Sequence, residues 1–119
     1  MSLDSLVDAI KKHPDYDKVG MILCHNGVVR GTSRNGRKVS GIKVAVDHAR
    51  LKKIIDESRK QPGIVEILVE IFENKDLGIG DNVMYLVVAG DIRENVIMTL
   101  QNTLNEIKTT VTAKTEYFI

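Results

Sequence analysis

The sequence predicts an α+β fold, a mixed, largely antiparallel sheet with helices packed on one face. Three observations predict it. Short β-prone runs alternate with helical periodicities in the order α-β-β-α-β-β-α-β. Strand pairs adjacent in the chain are joined by turn residues, as antiparallel hairpins are. The length of 119 residues, with 43% hydrophobic and 28% charged, suits one globular unit, so residues 1–119 are read as a single domain.

Each element has a local reason. Leu3, Leu6, Val7 and Ile10 recur at helical spacing behind Ser2, and His13-Pro14 stops the run. Val19 to Arg30 is apolar and β-branched but interrupted by Gly20 and Gly27, which reads as a bent strand. Asn35-Gly36 is a hairpin signal, because a type I′ turn needs positive φ at both central residues. Lys38 to Val46 is then the return strand, with Ile42, Val44 and Val46 on one face. Asp47 caps a helix carrying Leu51, Ile54, Ile55 and Ser58 along one side, and Pro62-Gly63 ends it. Ile64 to Phe72 is a third strand, with Glu66 and Glu70 on the same face. After a polar turn region from Glu73 to Gly80, Val83 to Ala89 is the fourth. Asp91 and Glu94 have the spacing of a capping box. Ile97, Leu100, Leu104 and Ile107 form one apolar stripe behind it, and Val111 to Phe118 closes the chain as a strand.

Composition excludes several classes of function. No apolar run approaches the ~20 residues of a membrane span. The first ten residues carry Asp4 and Asp8 and lack a signal-peptide design. A single cysteine, Cys24, makes no internal disulfide and points to a reducing, cytoplasmic setting. His13, His25 and His48 are scattered without metal-ligand spacing, and phosphate-loop, nucleophile-elbow and dinucleotide-loop patterns are missing. Neither a metal nor a bound cofactor is expected. Cys24-His25 resembles a nucleophile–base pair, yet neighbours on a strand point to opposite faces, so Cys24 is read as strand packing.

The net charge of +1 hides an asymmetry. Arg30 to Lys60 holds ten basic and three acidic residues, and Gln61 to Asp81 one basic and five acidic. Such blocks suit an anionic ligand or self-association, although surface charge is often only solvated. Arg30 ends a strand, and its guanidinium fork matches phosphate or carboxylate. Arg93 lies in the first turn of the last long helix, where free amides also favour an anion. Lys114 follows that helix in an extended segment.

Gly20 followed by Gly27-Val28-Val29-Arg30 resembles the first motif of the large, catalytic subunit of molybdopterin synthase. The likeness continues in order through Asn35-Gly36-Arg37-Lys38-Val39, then Asp76-Leu77-Gly78-Ile79-Gly80-Asp81, then Arg93. Lys108 to Glu116 resembles the family's closing L-K-x-x-x-P-x-W-K-x-E segment. The likeness therefore covers Val19 to Glu116. It implies an α/β hammerhead-like fold, a homodimer, and a ubiquitin-like small subunit as partner. It further implies sulfur transfer from that subunit's thiocarboxylated C-terminus to cyclic pyranopterin monophosphate, forming the dithiolene of molybdopterin. Carried over by position, Lys114 would be the catalytic lysine. Arg30, Arg93, Lys108 and Arg34 would bind the substrate's anionic parts.

Two other readings follow from the same residues. Ile92 stands where the family has histidine, and Val111-Thr112-Ala113 where it has a proline–aromatic–tryptophan run. Those differences suit a non-catalytic relative that binds an anionic pterin or a small protein. The basic block would also suit nucleic acid, but aromatics are only 4% of the chain and none interleave with it, so base stacking is poorly served. Neither a nucleic-acid nor a membrane partner is expected.

Overall fold

The structure, a computed structural model, describes residues 2–119. Two three-stranded antiparallel sheets are present. In the first, β5 (Asn82–Gly90) lies between β1 (Met21–Val28) and β3 (Ile64–Ile71). In the second, β2 (Val39–Val46) lies between the two-residue β4 (Leu77–Gly78) and β6 (Thr112–Phe118). The mixed α+β class expected from the sequence is the one observed.

The run Leu86-Val87-Val88-Ala89 in β5 has no solvent exposure, so this strand needs cover on both faces. Leu86 and Val88 join Ile54, Ile55, Ile67, Val96 and Ile107 in one cluster. Those partners come largely from β3 and from helices α2 (His48–Arg59) and α3 (Arg93–Glu106). Tyr85, Val87 and Ala89 pack on the opposite side against Leu6 and Ile10 of α1 (Leu3–Lys11). The sheet is therefore covered on two faces, not one. A helix of only nine residues suffices for the second face because the Ser2 and Ser5 side chains cap its start reciprocally, at 3.1 Å each.

A turn forms at Asn35-Gly36, but not as type I′, because of the two only Gly36 has positive φ, and no hairpin extends from it. Gly36 has φ +86°, the Ser33 amide donates to the Arg37 carbonyl at 2.8 Å, and Thr32 and Lys38 make a single bridge. Beyond that bridge the strands part. β1 pairs with β5, with His25 opposite Leu86, whereas β2 pairs with β6, with Val44 opposite Lys114. A register slip between Gly27 and Val28 bends β1 away. Val39, Ile42 and Val44 instead bury with Val29 and Leu77 in a core of their own.

The last helix also differs from its sequence pattern. The Asp47 carboxylate caps α2 as expected, accepting from the Arg50 amide at 3.0 Å. For α3 the Asp91–Glu94 capping box does not form, because the cap position falls one residue later, at Ile92, which has no side-chain acceptor. Asp91 Oδ1 instead accepts from Asn95 Nδ2 at 2.9 Å and from the Ile92 amide at 2.7 Å. These bonds, the Asn95 one foremost, hold its carboxyl below the usual range. Of the expected stripe Ile107 alone is fully buried, and within α3 itself the buried positions are Val96, Thr99 and Thr103. Leu100 and Leu104 are half-buried and Ile97 is 47% exposed. The Thr103 hydroxyl donates to Ser58 Oγ at 2.9 Å between α3 and α2.

Gly20 is required by a close crossing. Its amide donates to the Gly90 carbonyl at 2.8 Å, and a Cβ would collide with the Asp91 carbonyl. Among the described residues no helix is long and apolar enough to cross a membrane.

Ile92→Ser supplies the acceptor that the first turn of α3 lacks and should stabilise the fold by about 1 kcal/mol. A denaturant midpoint that fails to rise would show that these amides are already satisfied by water.

Candidate functional site

A cleft of about 540 Å³ opens between the two sheets. One wall is the face of β2 and β6. Ile42 and Val44 of β2 line it, and directly opposite them Glu116 and Lys114 of β6 project onto the same side, with Thr112 next in the alternation. Lys114 Nζ lies 3.9 Å from the Glu116 carboxylate. The other wall is the end of the first sheet: His25 of β1, Ile71 of β3, and Val83 and Met84 on β5, with Val29 and Arg30 just beyond the slip in β1.

Lys108 reaches the cleft from an irregular turn. After α3 the chain makes a π turn over Ile107–Val111 before entering β6. Ile107 and Val111 are anchored in the core, and Lys108 is left on the cleft side. Carbonyls freed at the helix end are satisfied locally, since the Thr110 hydroxyl donates to the Glu106 carbonyl at 2.7 Å and the Asp47 amide to the Val111 carbonyl at 2.9 Å. Such one-turn irregularities are frequent at functional sites.

Arg30 is placed by its neighbours. Val29 is buried, with its amide donating to the Asp81 carbonyl at 2.9 Å. Arg30 Nε donates to the Thr32 carbonyl at 2.9 Å, which fixes the guanidinium while its two terminal nitrogens remain available to an anion. Arg34, in the Asn-Gly turn, lines the same cleft. Arg30, Arg34, Lys108 and Lys114 therefore converge, with Glu116 the one carboxylate among them. A cationic concavity of this kind attracts phosphate or carboxylate.

Arg93 does not join them. It starts α3, whereas Lys108 follows its end, and a 14-residue helix is roughly 20 Å long. Its guanidinium is exposed and donates to Glu94 at 3.1 Å. Much of the remaining basic block is also engaged elsewhere. Arg59 pairs with Glu66 at 2.8 Å, Lys52 with Asp56 at 2.9 Å, and Arg37 lies 3.8 Å above the Phe118 ring.

His25 is the cleft residue that sequence reasoning passed over. Cys24 and His25 do point to opposite sides of β1, opposite Val87 and Leu86 respectively. Cys24 is exposed instead of packed, because the α1 side of the core takes Ile22 and stops short of it. The His25 ring faces the cleft, and its Nε2 is buried without a hydrogen-bond partner. Burial first, and the Lys108 charge second, push its pKa below the ordinary histidine value. No local signal marks His25, since its neighbour Lys108 is 83 positions away. Glu116 and Thr112 could have been found from their two-residue spacing about Lys114. Among the described residues no group of three His, Cys, Asp or Glu side chains is placed to hold a metal ion.

A histidine held neutral makes the folded state bind protons less readily than the unfolded chain. Its contribution to stability is complete above the unfolded pKa, ~6.5, and is lost as pH falls from there through the lowered folded value. His25→Leu should therefore gain stability relative to wild type as pH falls from about 7.5 to 5.5. Parallel urea midpoints for the two proteins across that window would show that the imidazole is not held neutral.

The family model for MoaE protein matches residues 1–110. Comparison with curated proteins found no match. Among solved structures, molybdopterin cofactor biosynthesis protein E from Burkholderia multivorans ATCC 17616 is similar with a TM-score of 0.76 and 21% identity, over 100% of this chain and 84% of that one. Molybdopterin synthase from Staphylococcus aureus is similar with a TM-score of 0.73 and 21% identity, over 87% and 77%. A complex of subunits 1 and 2 of molybdopterin-converting factor from Helicobacter pylori 26695 contains a similar chain, at TM-score 0.71 and 19% identity over 99% and 84%. These likenesses are of fold, and the two-sheet α+β architecture is common to them. The family match, spanning nearly the whole sequence, settles the relationship: the chain belongs to the MoaE family.

Proposed function

We propose that the protein acts in molybdenum cofactor biosynthesis as the large, catalytic subunit of a molybdopterin synthase, in the cytoplasm. It takes the thiocarboxylated C-termini of two ubiquitin-like small subunits into the cleft in turn and transfers one sulfur from each to cyclic pyranopterin monophosphate, building the two-sulfur dithiolene and leaving each small subunit with a carboxylate C-terminus. The convergence of Lys114 with Arg30, Arg34 and Lys108 in that cleft carries this reading. Arg30, Arg34 and Lys108 hold the phosphate and other anionic parts of the substrate. Lys114, on the opposite wall, acts on the thiocarboxylate or as general acid/base, and the Glu116 carboxylate at 3.9 Å orients its ammonium group. The two-subunit complex from H. pylori supports a small-subunit partner.

Arg93 belongs to this reading only through a second copy of the chain. Within one protomer it sits at the far end of α3 from Lys108, so a substrate-binding Arg93 must be presented by a neighbour. A homodimer carrying two small subunits supplies that arrangement, and the elongated shape of the protomer, 49 × 25 × 24 Å, leaves ample surface for it.

A second reading, a relative that binds anions without turnover, is favoured by one observation. The residue before Arg93 is an exposed isoleucine, Ile92, where the family resemblance places histidine. A single-turnover assay with cyclic pyranopterin monophosphate and thiocarboxylated small subunit separates the two. Dithiolene product is expected from wild type, with a loss of about 100-fold or more in Lys114→Ala and substrate still bound. Wild type that binds substrate and yields no product would establish the non-catalytic reading. Normal turnover by Lys114→Ala would remove that residue from the chemistry.

The Arg93 assignment has its own test. Arg93→Ala and Lys114→Ala, each inactive alone, should recover roughly a quarter of wild-type activity after subunit exchange, because half the random dimers hold one intact site of two. No recovery in verified mixed dimers would place both residues in the same protomer's site, and normal activity of Arg93→Ala alone would place Arg93 in none.

A further inference from the structure

His25 has no part in the sulfur-transfer reading, yet its setting is unusual. The ring lies on the cleft side of β1, among the apolar side chains that β5 and β2 contribute there. Nε2 is buried without a partner, and the backbone of Gly27 lies so close that a Cβ there would come within 3.2 Å of it. An imidazole with an unpaired nitrogen is costly to bury. The charged groups sharing the cleft are Arg30 and Arg34 from the β1–β2 connection, Lys108 from the π turn, and Lys114 and Glu116 from β6. Strands β2, β3 and β5 present only Ile42, Val44, Ile71, Val83 and Met84. In the empty cleft the charge acting on His25 is that of Lys108, and a dianion bound beside Lys108 offsets it.

We infer that His25 is a conditional cation of the anion site: it takes up one proton from solvent when a dianionic oxyanion, such as a phosphate monoester, binds among Arg30, Arg34, Lys108 and Lys114. The inference rests on the anion-binding half of the proposed function and not on sulfur transfer. In the free protein, burial and the Lys108 charge hold the ring neutral. The bound anion offsets that charge, so protonation and anion binding reinforce one another. Linkage makes the effect reciprocal: the anion binds more tightly as pH falls through the histidine range. Arginine and lysine side chains keep their charge across that range, and carboxylates titrate below it.

Sulfate is a suitable probe, because it remains a dianion throughout. The ring proton resonance of His25 is titrated by NMR in wild type with and without sulfate. Its midpoint should rise on addition of sulfate, by about one pH unit, and sulfate affinity should increase several-fold from pH 7.5 to 5.5, toward a limit of about tenfold at lower pH. In His25→Asn the affinity should be nearly independent of pH. A midpoint unmoved by sulfate, the same pH dependence in wild type and His25→Asn, or no sulfate binding would each overturn the inference. A sulfate-linked shift in a protein that makes no dithiolene would leave this site standing and remove the sulfur-transfer reading alone.

Discussion

Strand β5 must be buried on both faces, and most of the molecule follows from that requirement. Leu86, Val87, Val88 and Ala89 leave no side exposed to water, and apolar area removed from water contributes roughly 25 cal/mol per Å². Two antiparallel neighbours, two helices on one side and a short one on the other are the elements that satisfy it. Cutting into this strand affects both clusters at once, whereas the second sheet holds a smaller core of its own around Val39, Ile42, Val44 and Leu77.

The cleft is a consequence of the chain leaving one sheet before joining the next. Had β1 and β2 formed a hairpin, their side chains would lie on one continuous surface and no gap would separate them. The slip at Gly27-Val28 and the Asn-Gly turn direct Arg30 and Arg34 to the edge of that gap. The π turn sets Lys108 at its side, and the alternation of β6 brings Lys114 and Glu116 to its far wall. Charges from distant parts of the sequence thus meet across a space whose walls also carry the apolar side chains Ile42, Val44, Ile71, Val83 and Met84. Low-polarity walls strengthen their pull on an anion.

Individual residues show why parts of this were legible in the sequence and others were not. Asp47 and Ser2 were readable as caps because a cap involves only the next three residues. Asp91 misled because its carboxylate had a competing partner, Asn95, that also lies within the first turn. Ile97 falls on the apolar stripe of α3 by spacing, yet Val96, Thr99 and Thr103 hold the buried positions on that helix, with Thr103 hydrogen-bonded to Ser58 of α2. Cys24 was expected to pack, but α1 is too short to cover it.

The same division holds for the function. Local sequence determined the element types apart from the short β4, which falls within the expected turn from Glu73 to Gly80, together with the bend in β1, the placing of arginines at chain turns and the family motifs from Gly20 to Glu116, since each depends on spacing within a few residues. Tertiary structure alone decided that two sheets form in place of one, that Lys108 and Lys114 share a cleft with Arg30 while Arg93 stands apart, and that His25 faces them. Those outcomes depend on which strands pair across long loops. Pairing is fixed by the total apolar surface each strand buries, and no single stretch of sequence carries that quantity.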